Sequence, residues 1–233
     1  MEIALIVFDM AGTTVKDDDA VNACLKAALA AAGVRATRDS INTVMGMPKP
    51  LAIQTLLAES RGQAAASAQA VEAIHDDFMA RMLWHYRSHP EVRECDGATE
   101  TFAWCQRLGI RTALDTGFNR AIADAIIGRL GWNNGHLLDV TVASDEVPRG
   151  RPYPDMIQHA MAATGVTDPR RVMKVGDTPV DIAQGRAAGC RYVVGVTSGS
   201  HSAEELVPHG PTHLVASLRE LRTLLVVDEE GVA

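Results

Sequence analysis

Near the N-terminus six consecutive apolar residues, Ile3-Ala4-Leu5-Ile6-Val7-Phe8, run into an acid and then a glycine, Asp9-Met10-Ala11-Gly12-Thr13-Thr14-Val15. A short apolar run of this kind, rich in β-branched residues, predicts a strand covered on both faces, as in a parallel sheet. Ligands of open α/β sheets bind outside the carboxyl ends of the strands. A carboxylate at that edge, followed by a glycine turn and two hydroxyls, is placed to meet an anion or a metal. An aspartate that only caps a turn would leave the same trace in this stretch, so the later strand ends must separate the two.

Between Asp17 and Pro90 the pattern is helical and no strand is predicted. Lys16-Asp17-Asp18-Asp19 is expected as a solvated hinge, with Asp18 or Asp19 capping the next helix. Helices are expected at 20–32, 38–45 and 51–60, and a longer one carries Val71, Ile74, Phe78, Met82 and Tyr86 before Ser88-His89-Pro90 breaks it. From Asp96 the pattern becomes a strict alternation of helix and strand, with strands at 110–114, 140–143, 171–175 and 191–196 and a last strand and helix within 212–225. Such alternation predicts right-handed βαβ units and a doubly wound α/β core. The expected division is therefore a core of residues 1–16 plus 93–233 and an inserted helical cap of residues 17–92. The tail 228–233 is expected to fray.

Composition narrows the function. A net charge of −7 argues against nucleic acid, which needs a basic face. It leaves room for a small anion held by local cations and helix N-termini. Cys24, Cys95, Cys105 and Cys190 form no CxxC pair and predict reduced thiols. The opening run is too short for a signal peptide and no stretch is long enough to span a bilayer, so a cytoplasmic protein without membrane partners is expected. The histidines form no pair at metal-ligand spacing; His75, His85 and His89 are expected as ordinary surface or half-buried residues. Trp84 and Trp104 are expected in the core.

Four strand ends carry polar chemistry at one edge. They supply Asp9; Leu114-Asp115-Thr116-Gly117; Gly150-Arg151-Pro152; and Gly176-Asp177-Thr178, with Asp181 four residues beyond Asp177. Two acids, a hydroxyl and a guanidinium beside the first carboxylate make a set suited to phosphoryl transfer: nucleophile, oxygen clamp, charge neutraliser and metal ligands. Arg149 is expected as loop surface and Lys174 as strand scaffolding.

In these four motifs the chain resembles the haloacid dehalogenase superfamily, over most of its length. The resemblance implies that Asp9 is a nucleophile forming an aspartyl phosphate, and that Thr116 and Arg151 bind phosphoryl oxygens beside the Gly12 and Gly117 backbones. It further implies Mg²⁺ held by Asp9, the Ala11 carbonyl and Asp177, with Asp181 orienting the metal's waters. Phosphatases of the superfamily carry a second, proton-donating aspartate where this chain has Ala11. Ala11-Gly12-Thr13-Thr14 instead resembles the phosphonatases (phosphonoacetaldehyde hydrolases), which cleave a carbon–phosphorus bond.

Expelling carbon requires an electron sink, and an amine condensed with the substrate aldehyde provides one as an iminium. In phosphonatases a cap lysine in a Met-Gly-x-x-Lys pattern supplies that amine, matched here by Met45-Gly46-Met47-Pro48-Lys49. Pro50 suits the first turn of a helix, placing Lys49 at a helix N-terminus, where the dipole and burial under a cap both disfavour its charged form. The chain departs from the phosphonatase pattern at Met10, where an aromatic residue is usual, at Ala52, where a histidine is, and at Phe118, where a tyrosine is. The leading expectation is a Mg²⁺-dependent phosphonatase-like hydrolase of a small phosphonate, a homodimer by resemblance. The alternatives are a phosphomonoesterase of a small phosphorylated metabolite and a non-catalytic phosphate-binding module.

Overall fold

In a computed structural model of the chain, which describes residues 2–133 and 137–230 (at 63 and 226–230 the backbone alone), six strands form one parallel sheet. The strands are β1 (Leu5–Asp9), β2 (Arg111–Thr116), β3 (Val140–Ala143), β4 (Val172–Gly176), β5 (Tyr192–Val196) and β6 (His213–Val215), in the spatial order β3-β2-β1-β4-β5-β6. The N-terminal strand is central, paired in register with β2 on one side and β4 on the other, and all five of its residues are buried. That position explains its unbroken apolar run. Ile6 and Phe8 enter one apolar cluster and Leu5 and Val7 another, so both faces of the sheet are covered by helices. Phe8 meets Phe102 edge-on at 5.3 Å, and Phe102 meets Trp132 in the same way at 5.2 Å.

Four helices fall within residues 17–92: α1 (Ala20–Ala31), α2 (Arg38–Asn42), α3 (Lys49–Arg61) and α4 (Ala68–Ser88). They are followed by α5 (Ala98–Arg107), α6 (Arg120–Leu130), α7 (Asp155–Thr164), α8 (Pro179–Ala187), α9 (Ala203–Leu206) and α10 (Leu221–Glu230). The segments on either side of the first four helices pair by backbone: Lys16 N–H donates to Arg93 O at 3.0 Å, and Cys95 N–H to Thr14 O at 2.8 Å.

Several local expectations are corrected. The carboxylate that caps α1 is Asp17, whose Oδ1 accepts from Val21 N–H at 3.0 Å, whereas Asp19 makes no side-chain cap bond and sits in the left-handed region. Trp84 is 64% exposed, because it falls on the face of α4 opposite Phe78, Met82 and Tyr86. Trp104 is half-buried against the core. Helix α10 takes in residues 228–230 of the tail expected to fray, and residues 231–233 lie outside the described residues. Among the described residues no helix is long and apolar enough to cross a membrane.

Candidate active site

The carboxyl ends of β1, β2 and β4 bring three elements of chemistry to one point because the strands are in register: Asp9 pairs with Asp115, and β4 ends at Gly176 just before Asp177. Asp181 is fixed by its helix. Thr178 caps α8, and the Asp181 carboxylate reaches back to accept from Thr178 N–H at 3.2 Å and from Thr178 Oγ1–H at 2.5 Å. Asp9, Asp177 and Asp181 each offer an oxygen lying within 4.8 Å of the others, and all three are buried.

The backbone presses closely around this cluster. Gly12 has φ +86°, and a Cβ there would lie 2.3 Å from Asp177 Oδ2, so the turn after the first strand is open only to glycine. Asp177 is held by two further donors, Thr13 Oγ1–H to Oδ1 at 2.9 Å and Ser200 N–H to Oδ2 at 2.6 Å.

Arg151 joins the acids. Its Nη2 donates to Asp9 Oδ1 at 2.6 Å and to Asp115 Oδ1 at 2.5 Å, while Nη1 lies 3.1 Å from Asp181 Oδ1. Lys174, expected as scaffolding, is instead part of the charged network: it donates to Asp115 Oδ1 and lies 3.1 Å from Asp181 Oδ1. Arg149 is exposed and pairs with Asp155 at 2.9 Å, away from the cluster. Burial, with the charges of Asp181 and Asp177, pushes the Asp9 carboxyl up to about 8 despite Arg151. Burial likewise raises Asp177, and Asp181 adds to it. Burial also penalises ionised Asp181, but Arg151 and Lys174 outweigh it and hold that acid down.

The loop before α3 and the start of that helix supply the opposite wall. Met45, Gly46 and Lys49 line one cavity with Asp9, Ala11 and Arg151, and Thr116, Gly117 and Phe118 line it from the second strand end. Contact is close: a Cβ on Gly117 would lie 2.9 Å from Gly46 O and 3.0 Å from Met47 O. As its position before Pro50 predicts, Lys49 is the first residue of α3. It is buried; its Nζ lies 3.5 Å from Met47 O and 5.7 Å from the Phe118 ring centre. Burial lowers the amine to about 8, against the pull of Asp17 and Asp9. Ala52 is buried and brings no polar group.

The candidate site residues Asp9, Ala11, Met45, Gly46, Lys49, Thr116, Gly117, Arg151, Asp177 and Asp181 thus meet around one point, with Gly12 packed against Asp177 by its backbone. No role was expected for Asp115, which closes a strand beside Thr116, or for Thr13, whose hydroxyl holds Asp177, and Lys174, the one charge in the apolar strand β4, was expected only as scaffolding.

A carboxylate at the end of the central strand, two further acids and a buried guanidinium thus meet at the carboxyl edge of the parallel sheet, where α/β folds bind their ligands. The chain belongs to the haloacid dehalogenase-like hydrolases, whose family model matches residues 3–189. Its relatives include the phosphonoacetaldehyde hydrolase of Latilactobacillus sakei, 30% identical over 207 residues covering 85% of this chain and 77% of that protein. The phosphonoacetaldehyde hydrolase of Hahella chejuensis is 31% identical over 168 residues, 70% of this chain and 53% of that protein. A phosphonoacetaldehyde hydrolase-like protein from Oleispira antarctica has the same fold, with a TM-score of 0.85 at 20% identity over 99% of this chain and 94% of that one.

Proposed function

We propose that this hydrolase cleaves the carbon–phosphorus bond of phosphonoacetaldehyde, giving acetaldehyde and phosphate. The observation that carries the reading is Lys49: a buried amine of lowered pKa lining the same cavity as Asp9 and Arg151, in a site with no proton donor at Ala11. The relatives named for this activity support it.

A divalent cation suits the donor set. Among the described residues the buried charged ones are four acids (Asp9, Asp115, Asp177, Asp181) and three bases (Lys49, Arg151, Lys174), and three of the acids converge on one point. Asp9, Asp177, Asp181 and the Ala11 carbonyl would hold Mg²⁺, which when bound neutralises charge between the carboxylates and the phosphoryl group.

The residues divide the chemistry. The Lys49 amine condenses with the aldehyde, releasing water and leaving a protonated imine. Asp9 attacks phosphorus, and the electron pair of the breaking carbon–phosphorus bond moves into the iminium to leave an enamine. Water then hydrolyses the aspartyl phosphate, and protonation and hydrolysis of the enamine release acetaldehyde and free Lys49. Thr116 and Arg151 bind the phosphoryl oxygens; the Arg151 Nε–H, buried without a partner, is a donor open to them. Met45, Gly46, Gly12 and Gly117 shape the cavity. Residues 17–92 act as a cap that brings Lys49 over the core.

Borohydride in the presence of phosphonoacetaldehyde is expected to inactivate the enzyme and add mass to the peptide carrying Lys49. No adduct, together with near wild-type hydrolysis of a phosphate ester by Lys49→Arg, would overturn the reading. That result would favour the second one, a phosphomonoesterase of a small metabolite, for which the apolar Ala52 and Phe118 beside Lys49 speak.

A further inference from the structure

Lys49 stands between two cavities. The one already described reaches Asp9 and Arg151. The other lies beyond Lys49, Gly117 and Phe118, which line both, and has a volume of about 120 Å³. That is well above the roughly 10–15 Å³ that a single water needs, so the space holds several small groups. Its walls are chiefly carbon: Pro48, Phe78, Met79 and Ile122, with Phe78 and Ile122 fully buried. Half-buried His75 and exposed Asp145 also line it.

A carbonyl compound bound through Lys49 has two substituents on its carbonyl carbon. One, carrying phosphorus, must reach Asp9 and Arg151. The other has to leave the amine in a different direction, and the open space adjoining Lys49 is the second cavity. In phosphonoacetaldehyde that second substituent is a hydrogen atom, which would leave an apolar space of this size unfilled.

We infer that the second cavity is a subsite for a short carbon chain on the far side of the carbonyl, so that the enzyme accepts 2-oxoalkylphosphonates with about three or four non-hydrogen atoms beyond the carbonyl carbon. The inference rests on the carbon–phosphorus reading and names its substrate class more widely. The chain would lie against Met79, Phe78 and Ile122, and a polar end group would emerge beside His75 and Asp145.

The test compares kcat/KM for phosphonoacetaldehyde, 2-oxopropylphosphonate and 2-oxopentylphosphonate in the wild type, Met79→Trp and Met79→Ala. The ratio of the longest to the shortest substrate is expected to fall about tenfold when tryptophan fills the cavity, on the scale of methylenes lost from an apolar pocket, and not when alanine widens it. A ratio that is equal in all three proteins, or no turnover of the longer compounds beside good turnover of phosphonoacetaldehyde, overturns the subsite. Reductive trapping of plain aldehydes on Lys49 by borohydride, from ethanal to pentanal, reads the cavity without carbon–phosphorus cleavage. The subsite predicts a trapping yield that rises with chain length in the wild type and loses that rise in Met79→Trp; equal trapping of ethanal and pentanal overturns it. Chain-length-dependent trapping with no phosphate released from any carbonyl phosphonate would uphold the subsite and reject the carbon–phosphorus reaction.

Discussion

The two walls of the site are built in opposite ways. On the core side each charge is braced: Arg151 touches three carboxylates, Asp177 accepts from two donors, and Asp181 is tied to Thr178, Arg151 and Lys174. On the helical side Lys49 has a 3.5 Å contact with Met47 O and the face of Phe118. Fixed charges need no reorganisation when a phosphoryl group arrives, which is what electrostatic stabilisation requires. In the proposed reaction the lysine has to shed its proton before it can form an imine, and burial without a close partner lowers its amine to about 8.

The largest expected effect comes from breaking the braced side. Asp9→Asn keeps the shape but cannot attack phosphorus, so turnover should fall by at least about 10⁴-fold while the fold persists. A chelator should also abolish turnover, reversibly. Asp9 gives a pH signature too. Its carboxyl is ordinarily at 3.8 and is raised to about 8 in the fold, so the folded state is penalised once the acid ionises. The metal-free wild type should therefore lose stability as pH rises from about 4 to about 8. The Asn variant should lack that part of the slope, and excess Mg²⁺ should flatten it in the wild type. Thermal unfolding in chelator and in Mg²⁺ measures both; an unchanged slope in Asp9→Asn would remove the argument.

Breaking the uncommitted side should cost activity and raise stability. Lys49→Met and Lys49→Arg should each lose carbon–phosphorus cleavage by about 10³-fold or more, since neither can form the imine. The amine is lowered from 10.5 to about 8, so the folded state carries a penalty that is full below pH 8 and gone above 10.5. Lys49→Met should accordingly be more stable than the wild type by roughly 1–3 kcal/mol at pH 7, with a smaller gain at pH 9.5. A loss of stability at pH 7 would show that Lys49 is a structural cation after all.

This contrast also governs what could be read from the sequence. The sheet edge was legible because register does the placing: once Asp9, Thr116 and Asp177 end parallel strands, pairing brings them together without further information. Lys49 was legible only through its Met-Gly-x-x-Lys pattern, because helix packing in an insertion leaves no periodic trace of where a lysine faces. Asp17, Asp115 and Lys174 escaped for related reasons. An acidic run looks solvated whichever acid folds back to cap the helix, and a charge within an apolar strand shows neither its partner nor its face. His75 was expected to be ordinary, and only the packing of α4 placed it on a cavity shared with Lys49.

The seam between the two walls can be loosened directly. Gly117 packs against Gly46 O and Met47 O with no room for a Cβ, so Gly117→Ala must push the Lys49 segment away by a fraction of an ångström or more. Misplacement on that scale can lower kcat by up to about 10²-fold. Since Asp9, Asp177 and Asp181 do not depend on that contact, Mg²⁺-dependent stabilisation of the variant should match the wild type. Loss of the metal response along with kcat would mean that the two walls are a single unit.

The smallest effect is expected where the insertion joins the core. Arg93 pairs with Asp18 at 3.0 Å across the two connecting segments, but both side chains are more than half exposed, so solvent screens the pair. Asp18→Ala should change stability by no more than about 0.5 kcal/mol, measured by denaturant unfolding. What holds the connection is backbone pairing, Lys16 to Arg93 and Cys95 to Thr14, which that substitution leaves intact. If the insertion is a cap that closes on ligand, proteolysis within residues 16–19 and 89–93 should slow when Mg²⁺ and a phosphoryl mimic are both present, because they would bridge the walls and favour the closed state. The Asp18→Ala protein should be protected to the same degree. Cleavage patterns that are identical with and without these ligands would instead make residues 17–92 a fixed part of the domain, with Lys49 held over Asp9 at all times.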